Sequence, residues 1–218
     1  MSVHVRIKIC GVTSEADARQ AVVLGADAIG LNFYRKSPRC VDLEVAPSIL
    51  RTLSPFVEAV GVFVDEPLKQ VFPFLSQFSR IRTVQMHGSN REICDAYPFH
   101  FIPAFAVKDA GNIREIERYL EACRGVGRMP SAILVDGHSS TQFGGTGRNP
   151  PWGLLRDVQW GVPLILAGGL TPENVGEAVR AVKPYAVDVA SGVESEPGRK
   201  DAEKMRRFIE AVRETTGL

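Results

Sequence analysis

Val5-Arg6-Ile7-Lys8-Ile9-Cys10-Gly11 alternates apolar with charged or reactive side chains, and Thr13-Ser14-Glu15-Ala16-Asp17 follows it with the marks of a helix start. Alternation of period two is the pattern of a strand. Side chains of a strand point to its two faces in turn, so Ile7 and Ile9 share one face and Arg6, Lys8 and Cys10 the other. The same strand-then-helix pairing recurs down the chain. Strands are expected at 5–9, 28–32, 59–63, 83–86, 101–105, 132–135, 164–167 and 186–189. Helices are expected at 14–24, 43–53, 67–78, 90–96, 112–122, 152–158, 172–182 and 200–213.

Two punctuation signals support the helices. Gly25 stands just past the first one, where a left-handed residue is needed. Thr171-Pro172 reads as a cap followed by Pro at the first helical position, with Glu173 in the first turn. Eight units in 218 residues leave about 27 residues each, close to the minimum for a strand–helix repeat. The pattern predicts an α/β fold: a closed (β/α)8 TIM barrel spanning residues 1–218 as a single domain. An open doubly wound sheet would instead carry a GxGxxG turn after an early strand, and Gly11-Val12-Thr13 does not supply one.

Composition narrows the functional classes. With 44% hydrophobic residues, 23% charged residues and a net charge of +1, the chain is ordinary for a globular protein and has no electrostatic pull toward nucleic acid or anionic membrane. No run of 18 apolar residues is present, and Met1-Ser2-Val3-His4-Val5-Arg6 lacks a signal-peptide stretch. Cys10, Cys40, Cys94 and Cys123 form no CxxC pair, which points away from zinc and toward free thiols in a reduced, cytoplasmic setting. Monomer and homodimer are both compatible with the sequence.

In a barrel of this kind the active site lies at the C-terminal ends of the strands. Strand parity turns Lys8 and Cys10 into the barrel, with Cys10 at its mouth, and turns Asp188 inward between Val187 and Val189. The first and last strands are neighbours in a closed barrel, so Lys8 and Asp188 are expected to pair, because an unpaired buried charge is very costly. Lys8 and the helix that follows Cys10 are expected to lower the pKa of its thiol. Asp136 closes the sixth strand as a candidate acid, or as a turn former before Gly137. Gly168-Gly169 after strand seven and Ser191-Gly192 after strand eight suit an anion such as phosphate, which can approach their backbone closely. The loop Tyr34-Arg35-Lys36-Ser37-Pro38-Arg39 brings three cations to the same mouth, and composition does not choose among them. The segment 136–151 is a long loop rich in Gly, Ser, Thr and Pro, of a kind that is more often functional than accidental.

Several stretches resemble one family. They are Lys8-Ile9-Cys10-Gly11, Asn32-Phe33-Tyr34 with Lys36-Ser37-Pro38-Arg39, Gln85-Met86-His87-Gly88, Val135-Asp136, Phe143-Gly144-Gly145-Thr146-Gly147, Gly168-Gly169-Leu170-Thr171-Pro172-Glu173-Asn174-Val175, and Asp188-Val189-Ala190-Ser191-Gly192-Val193-Glu194 with Pro197-Gly198. In this order they are similar to the phosphoribosylanthranilate isomerases of tryptophan biosynthesis. The resemblance implies an Amadori rearrangement of an aminoaldose to an aminoketose, with no metal or other cofactor and a small phosphorylated substrate. It implies Cys10 as general base, Asp136 as general acid, Arg39 as the grip on the anthranilate carboxylate, and Gly168, Gly169, Ser191 and Gly192 as the phosphate site. Lys8, His87 and Asp188 would be inward-facing supporting residues.

The chain departs from the family pattern at three places. Pro150-Pro151-Trp152 replaces an aromatic-Asp-Trp sequence, which implies a different start to the sixth helix. Cys40 stands where an aromatic often follows the Arg, implying a looser anthranilate pocket, and Ala190-Ser191 stands where Ser-Ser is common, implying one hydroxyl fewer near the phosphate. Other phosphosugar barrels fit less well. An indole-glycerol-phosphate synthase would show Lys and Glu at the strand ends, and a histidine-pathway isomerase paired Asp residues on strands one and five, where this chain has Cys10 and Phe105-Ala106. A non-catalytic binder of a phosphorylated ligand would not need both Cys10 and Asp136.

Overall fold

A computed structural model describes residues 4–89, 91, 99–137, 152–156 and 158–217. Eight strands close into a barrel in sequence order: β1 (Arg6–Cys10), β2 (Ala28–Asn32), β3 (Glu58–Val64), β4 (Ile81–His87), β5 (His100–Ala106), β6 (Ile133–Asp136), β7 (Leu164–Ala167) and β8 (Ala186–Val189). Neighbouring strands are parallel throughout, and β1 pairs with both β2 and β8, which shuts the ring. Every expected strand is present, displaced by two residues at most.

Helices α1 (Glu15–Leu24), α2 (Ala46–Thr52), α3 (Leu68–Leu75), α4 (Ala110–Gly125), α5 (Val175–Val182) and α6 (Ala202–Thr216) fill the connections. Local chemistry explains their ends. Ser14 caps α1 by accepting from the Asp17 N–H at 3.1 Å, and Gly25 ends it in a left-handed conformation, its N–H donating to Ala21 and Val22. Asp109 and Asp201 cap α4 and α6 in the same way. Ala18 and Ala21 are fully buried, and their small side chains let α1 lie close on the strands.

Six expected helices are present with ends moved by three residues at most; the late start of one has a local cause, and one further expected helix does not form among the described residues. The expected helix 172–182 starts only at Val175. Thr171 keeps its capping contact, Oγ1 accepting from the Glu173 N–H at 3.2 Å, but a turn comes before the helix: the Asn174 side chain accepts from the Thr171 N–H at 2.8 Å and donates to the Gly169 carbonyl at 2.9 Å. The expected helix 152–158 is a single 3-10 turn, Trp152–Leu154, within the described residues. Nearly all of the expected helix 90–96, with Cys94, lies outside the described residues, as do the motif Phe143–Gly147 and Pro150-Pro151. After β8 come a 3-10 turn (Ser191–Val193) and a two-stranded hairpin, β9 (Glu194–Glu196) with β10 (Arg199–Lys200).

The core has two parts, as strand parity requires. Ile7, Ile9, Ile29, Leu31, Val187 and Val189 belong to a large apolar layer that also includes helix residues such as Ala18, Ala21, Val179, Phe208 and Ile209. Inside the barrel, Ile102, Ala104, Leu134, Ile165, Ala167 and Ala186 form one apolar cluster and Cys10, Val60 and Val62 another. The ionisable pair Lys8 and Asp188 is buried there as well.

Candidate active site

The register places the inward residues of β1 and β8 side by side, Lys8 level with Asp188. Lys8 Nζ donates to Asp188 Oδ1 at 2.8 Å, and both residues are buried. Burial works against the Lys8 ammonium, but the Asp188 carboxylate outweighs it and holds the Lys8 pKa above its ordinary value. This is the pairing expected from the sequence.

On the other side of β1, Cys10 lies level with Gly30 of β2. A Cβ at Gly30 would stand 2.7 Å from Cys10 Sγ and 2.9 Å from Lys8 Nζ. The missing side chain of Gly30 is therefore the seat of both functional groups. The expected lowering of the Cys10 pKa does not hold. Burial pushes the thiol up and the Asp188 charge adds to this, while Lys8 and Lys200 pull down without prevailing. The helix that follows begins only at Glu15, its first turn already capped by Ser14.

Cys10 opens onto a cleft of about 460 Å³ at the C-terminal ends of the strands, a size that suits a small molecule. Its lining brings together Cys10, Asp136, His87, Asp188, Arg39 and both glycine turns, Gly168-Gly169 and Ser191-Gly192. Asp136 is the last residue of β6, level with Ala167 of β7, so its backbone position at the rim is fixed by sheet pairing. Gly168 and Gly169 both have positive φ, 89° and 64°, which explains their residue type. Gly192 is required for a different reason: a Cβ there would lie 1.9 Å from the Leu170 carbonyl oxygen, so the two turns pack backbone to backbone.

Structure selects among the three cations of the β2 loop. Arg35 and Lys36 are exposed, whereas Arg39 is half-buried and lines the cleft. The loop is shaped by Ser37, whose Oγ accepts from the Arg39 N–H and from Asn32 Nδ2, each at 3.1 Å. Arg39 makes a two-pronged ion pair with Glu194: Nε to Oε1 at 2.9 Å and Nη2 to Oε2 at 2.7 Å. Lys200, whose side chain is wholly buried, donates to the same Glu194 Oε1 at 2.8 Å and to the Ala190 carbonyl at 3.2 Å. Burial would raise the Glu194 pKa, but the hydrogen bonds from Arg39 and Lys200 hold the carboxyl below its ordinary range.

His87 ends β4 beside Gln85, with Gln85 Nε2 2.7 Å from His87 Nε2. Burial, helped by the Lys8 charge, lowers the His87 pKa to about 4, so the ring is neutral near pH 7. Gln85 Oε1 is buried with no hydrogen-bond partner among the described residues. Which of the two side chains donates in this contact follows from the ring tautomer.

Sequence reasoning quoted Gln85 and Glu194 without giving either a role, and it missed Gly30 and Lys200. Glu194 and Arg39 are 155 positions apart, and no local pattern reports such a contact. Among the described residues no group of three or more His, Cys, Asp or Glu is gathered to hold a metal ion, and no helix is long and apolar enough to cross a membrane.

Comparison with known proteins identifies the family of the chain. Residues 7–211 match the family described as N-(5'phosphoribosyl)anthranilate (PRA) isomerase. A protein of Geobacter sulfurreducens named N-(5'-phosphoribosyl)anthranilate isomerase is 47% identical over 206 residues, which is 94% of this chain and 97% of the relative. The crystal structure of phosphoribosyl anthranilate isomerase from Thermotoga maritima superimposes with a TM-score of 0.83 at 37% identity, covering 99% of this chain and all of that one. A phosphoribosyl anthranilate isomerase solved in complex with reduced 1-(o-carboxyphenylamino)-1-deoxyribulose 5-phosphate matches with a TM-score of 0.78 at 36% identity, with 99% and 100% covered.

Proposed function

The chain belongs to the N-(5'-phosphoribosyl)anthranilate isomerase family, and we propose that it works with Cys10 as general base and Asp136 as general acid. It isomerises N-(5'-phosphoribosyl)anthranilate, an aminoaldose, to 1-(2-carboxyphenylamino)-1-deoxyribulose 5-phosphate, an aminoketose, in tryptophan biosynthesis. One observation carries the assignment of residues. A thiol, a carboxyl, a half-buried arginine and two glycine turns line a single cleft at the C-terminal ends of the strands.

Asp136 protonates the furanose ring oxygen. The C1–O bond breaks, the ring opens, and the electron pair of the aniline nitrogen forms an iminium ion at C1. The iminium acidifies the neighbouring C2–H, and the sulfur of Cys10 takes that proton. The electron pair left at C2 neutralises the iminium and gives an enolamine, which tautomerises to the ketone. Before substrate arrives, burial and Asp188 keep the thiol protonated. The iminium is a cation formed against it and joins Lys8 and Lys200 in favouring the thiolate, and the thiol proton passes to solvent through the open cleft before the sulfur takes the C2 proton.

Arg39 holds the anthranilate carboxylate with the part of its guanidinium that Glu194 leaves open. Gly168, Gly169, Ser191 and Gly192 hold the phosphate. His87, neutral near pH 7, is a hydrogen-bonding partner for the sugar and not a base. None of these steps calls for a metal or a redox cofactor. The same reading makes the protein a cytoplasmic enzyme, monomer or homodimer, with no nucleic-acid or membrane partner. Turnover tests it: the fluorescence of phosphoribosylanthranilate should decay when the protein is added, and a signal that persists would overturn the reading.

A further inference from the structure

Arg39 carries five N–H donors in a rigid fork, and its side edge is already taken. Nε and Nη2 both donate to the Glu194 carboxylate, three contacts of 2.7–3.1 Å. What remains is both hydrogens of Nη1 and the second hydrogen of Nη2, and one from each nitrogen makes a parallel pair at the end of the fork. The stem of Arg39 is fixed as well, since it lies across Gly11, where a Cβ would stand 2.8 Å from Arg39 Cδ. Glu194 is held in turn. Lys200 Nζ donates to it, the Gly198 N–H approaches Oε1 at 3.4 Å, and Lys204 Nζ donates to its carbonyl at 2.7 Å. The hairpin that carries Lys200 is pinned from the far side, by its N–H to Asp17 Oδ2 at 3.1 Å and by Thr13 Oγ1 to the Gly198 carbonyl at 2.6 Å. Lys200 also donates to the Ala190 carbonyl, immediately before Ser191 and Gly192.

We infer that Glu194 and Lys200 are positioning residues that aim the end of the Arg39 fork into the cleft and fix it relative to the Ser191-Gly192 turn. They thereby confer preference for substrates bearing a carboxylate at one end and a phosphate at the other. This deepens the reading of Arg39 as the carboxylate grip and rests on it. Lys200 is the link between the two anion-holding parts. It touches the backbone of the eighth-strand turn with one hydrogen and the partner of Arg39 with another. Neither residue needs to touch substrate.

The charge of the cluster makes this separable from simple attraction. Arg39, Lys200 and Glu194 together carry one net positive charge. Burial already lowers the Lys200 pKa with Glu194 in place. Removing the Glu194 carboxylate cannot make the cluster less positive, so a raised KM for the carboxylate-bearing substrate in Glu194→Gln would come from lost aim and not from lost attraction.

The test compares two substrates: N-(5-phosphoribosyl)anthranilate and N-(5-phosphoribosyl)aniline, which lacks the ring carboxylate. Glu194→Gln is expected to raise KM for the first by about tenfold or more, as loss of a charge-assisted contact should, with kcat within about twofold of the parent by that same measure. For the aniline substrate its KM should match the parent's. A KM raised equally for both substrates, or unchanged for both, would overturn the inference. If Glu194→Gln does not fold, as judged by circular dichroism, Glu194→Asp carries the same comparison with a shorter reach and a smaller shift. Arg39→Met is the control. If it too fails to separate the substrates, the reading of Arg39 as carboxylate grip fails. If it separates them and the Glu194 variants do not, only the positioning role is lost.

Discussion

Over Ile7–Cys10 and Val187–Val189 both faces of β1 and β8 are buried, and they do different work. Outward, Ile7, Ile9, Val187 and Val189 are 0–2% exposed and pack in the apolar layer beneath the helices. Inward, Lys8, Cys10 and Asp188 are 4–9% exposed, and each is ionisable. Burial therefore does not distinguish framework from site in this barrel. What distinguishes them is the partner each buried group needs. The outward residues need only matching volume, whereas the inward ones need one another: Lys8 satisfies Asp188, and the space above Gly30 admits both Lys8 Nζ and Cys10 Sγ. The outward face should respond to substitution in stability and the inward face in turnover or in charge balance.

The largest expected effect belongs to the acid. Asp136→Asn should lower kcat by about a thousandfold, within the usual range for loss of a general acid, while the melting temperature stays near the parent's. A kcat within tenfold of the parent would remove Asp136 from the inward set. Next, Lys8→Met leaves the Asp188 carboxylate buried without its partner and should cost about 3–5 kcal/mol in denaturant unfolding. Lys8→Met/Asp188→Leu should recover most of that loss, and a double variant no more stable than the single would break the account of the pair. Gly30→Ala is milder, at about 1–3 kcal/mol for overpacking. It should reduce turnover as well, because the added methyl displaces the sulfur; a variant with parental turnover would show that the seat is not needed.

The smallest effect concerns titration. Since burial raises the Cys10 thiol, its alkylation by iodoacetamide, followed by mass spectrometry of the peptide that contains it, should speed up with pH and reach half its limit only above the ordinary value of 9.0. Lys8→Met removes a cation that favours the thiolate and should move that midpoint further up. A midpoint below 9.0 in the parent would contradict the burial argument.

The sequence made the barrel legible because its signals are local. Short apolar, β-branched runs located every strand to within two residues, and on β1 and β8 the alternation of side chains also told inside from outside, so the Lys8–Asp188 pair could be foreseen from two segments 180 positions apart. Helix starts were harder to read. Thr171 does cap, its Oγ1 accepting from the Glu173 N–H at 3.2 Å, but Asn174 also reaches back to Thr171 and Gly169 and holds the segment as a turn, so regular helix begins only at Val175. The Cys10 pKa was misjudged because a neighbouring cation can be read from sequence and depth of burial cannot. Glu194 and Lys200 were illegible as functional residues for another reason: their meaning lies in Arg39, which the chain supplies from the opposite end of the molecule's sequence.

The most direct test sets two adjacent residues against each other. Ile9 and Cys10 are both buried on β1, one facing the helices and one facing the cleft. Steady-state turnover and thermal melting should be measured for Ile9→Ala and Cys10→Ala side by side. The account predicts that Ile9→Ala loses about 2–5 kcal/mol of stability, as a buried large-to-small change does, and keeps its turnover per folded molecule. It predicts that Cys10→Ala melts near the parent and loses turnover by at least about a hundredfold, as removal of a general base does. A Cys10→Ala variant that turns over phosphoribosylanthranilate at the parental rate would contradict it.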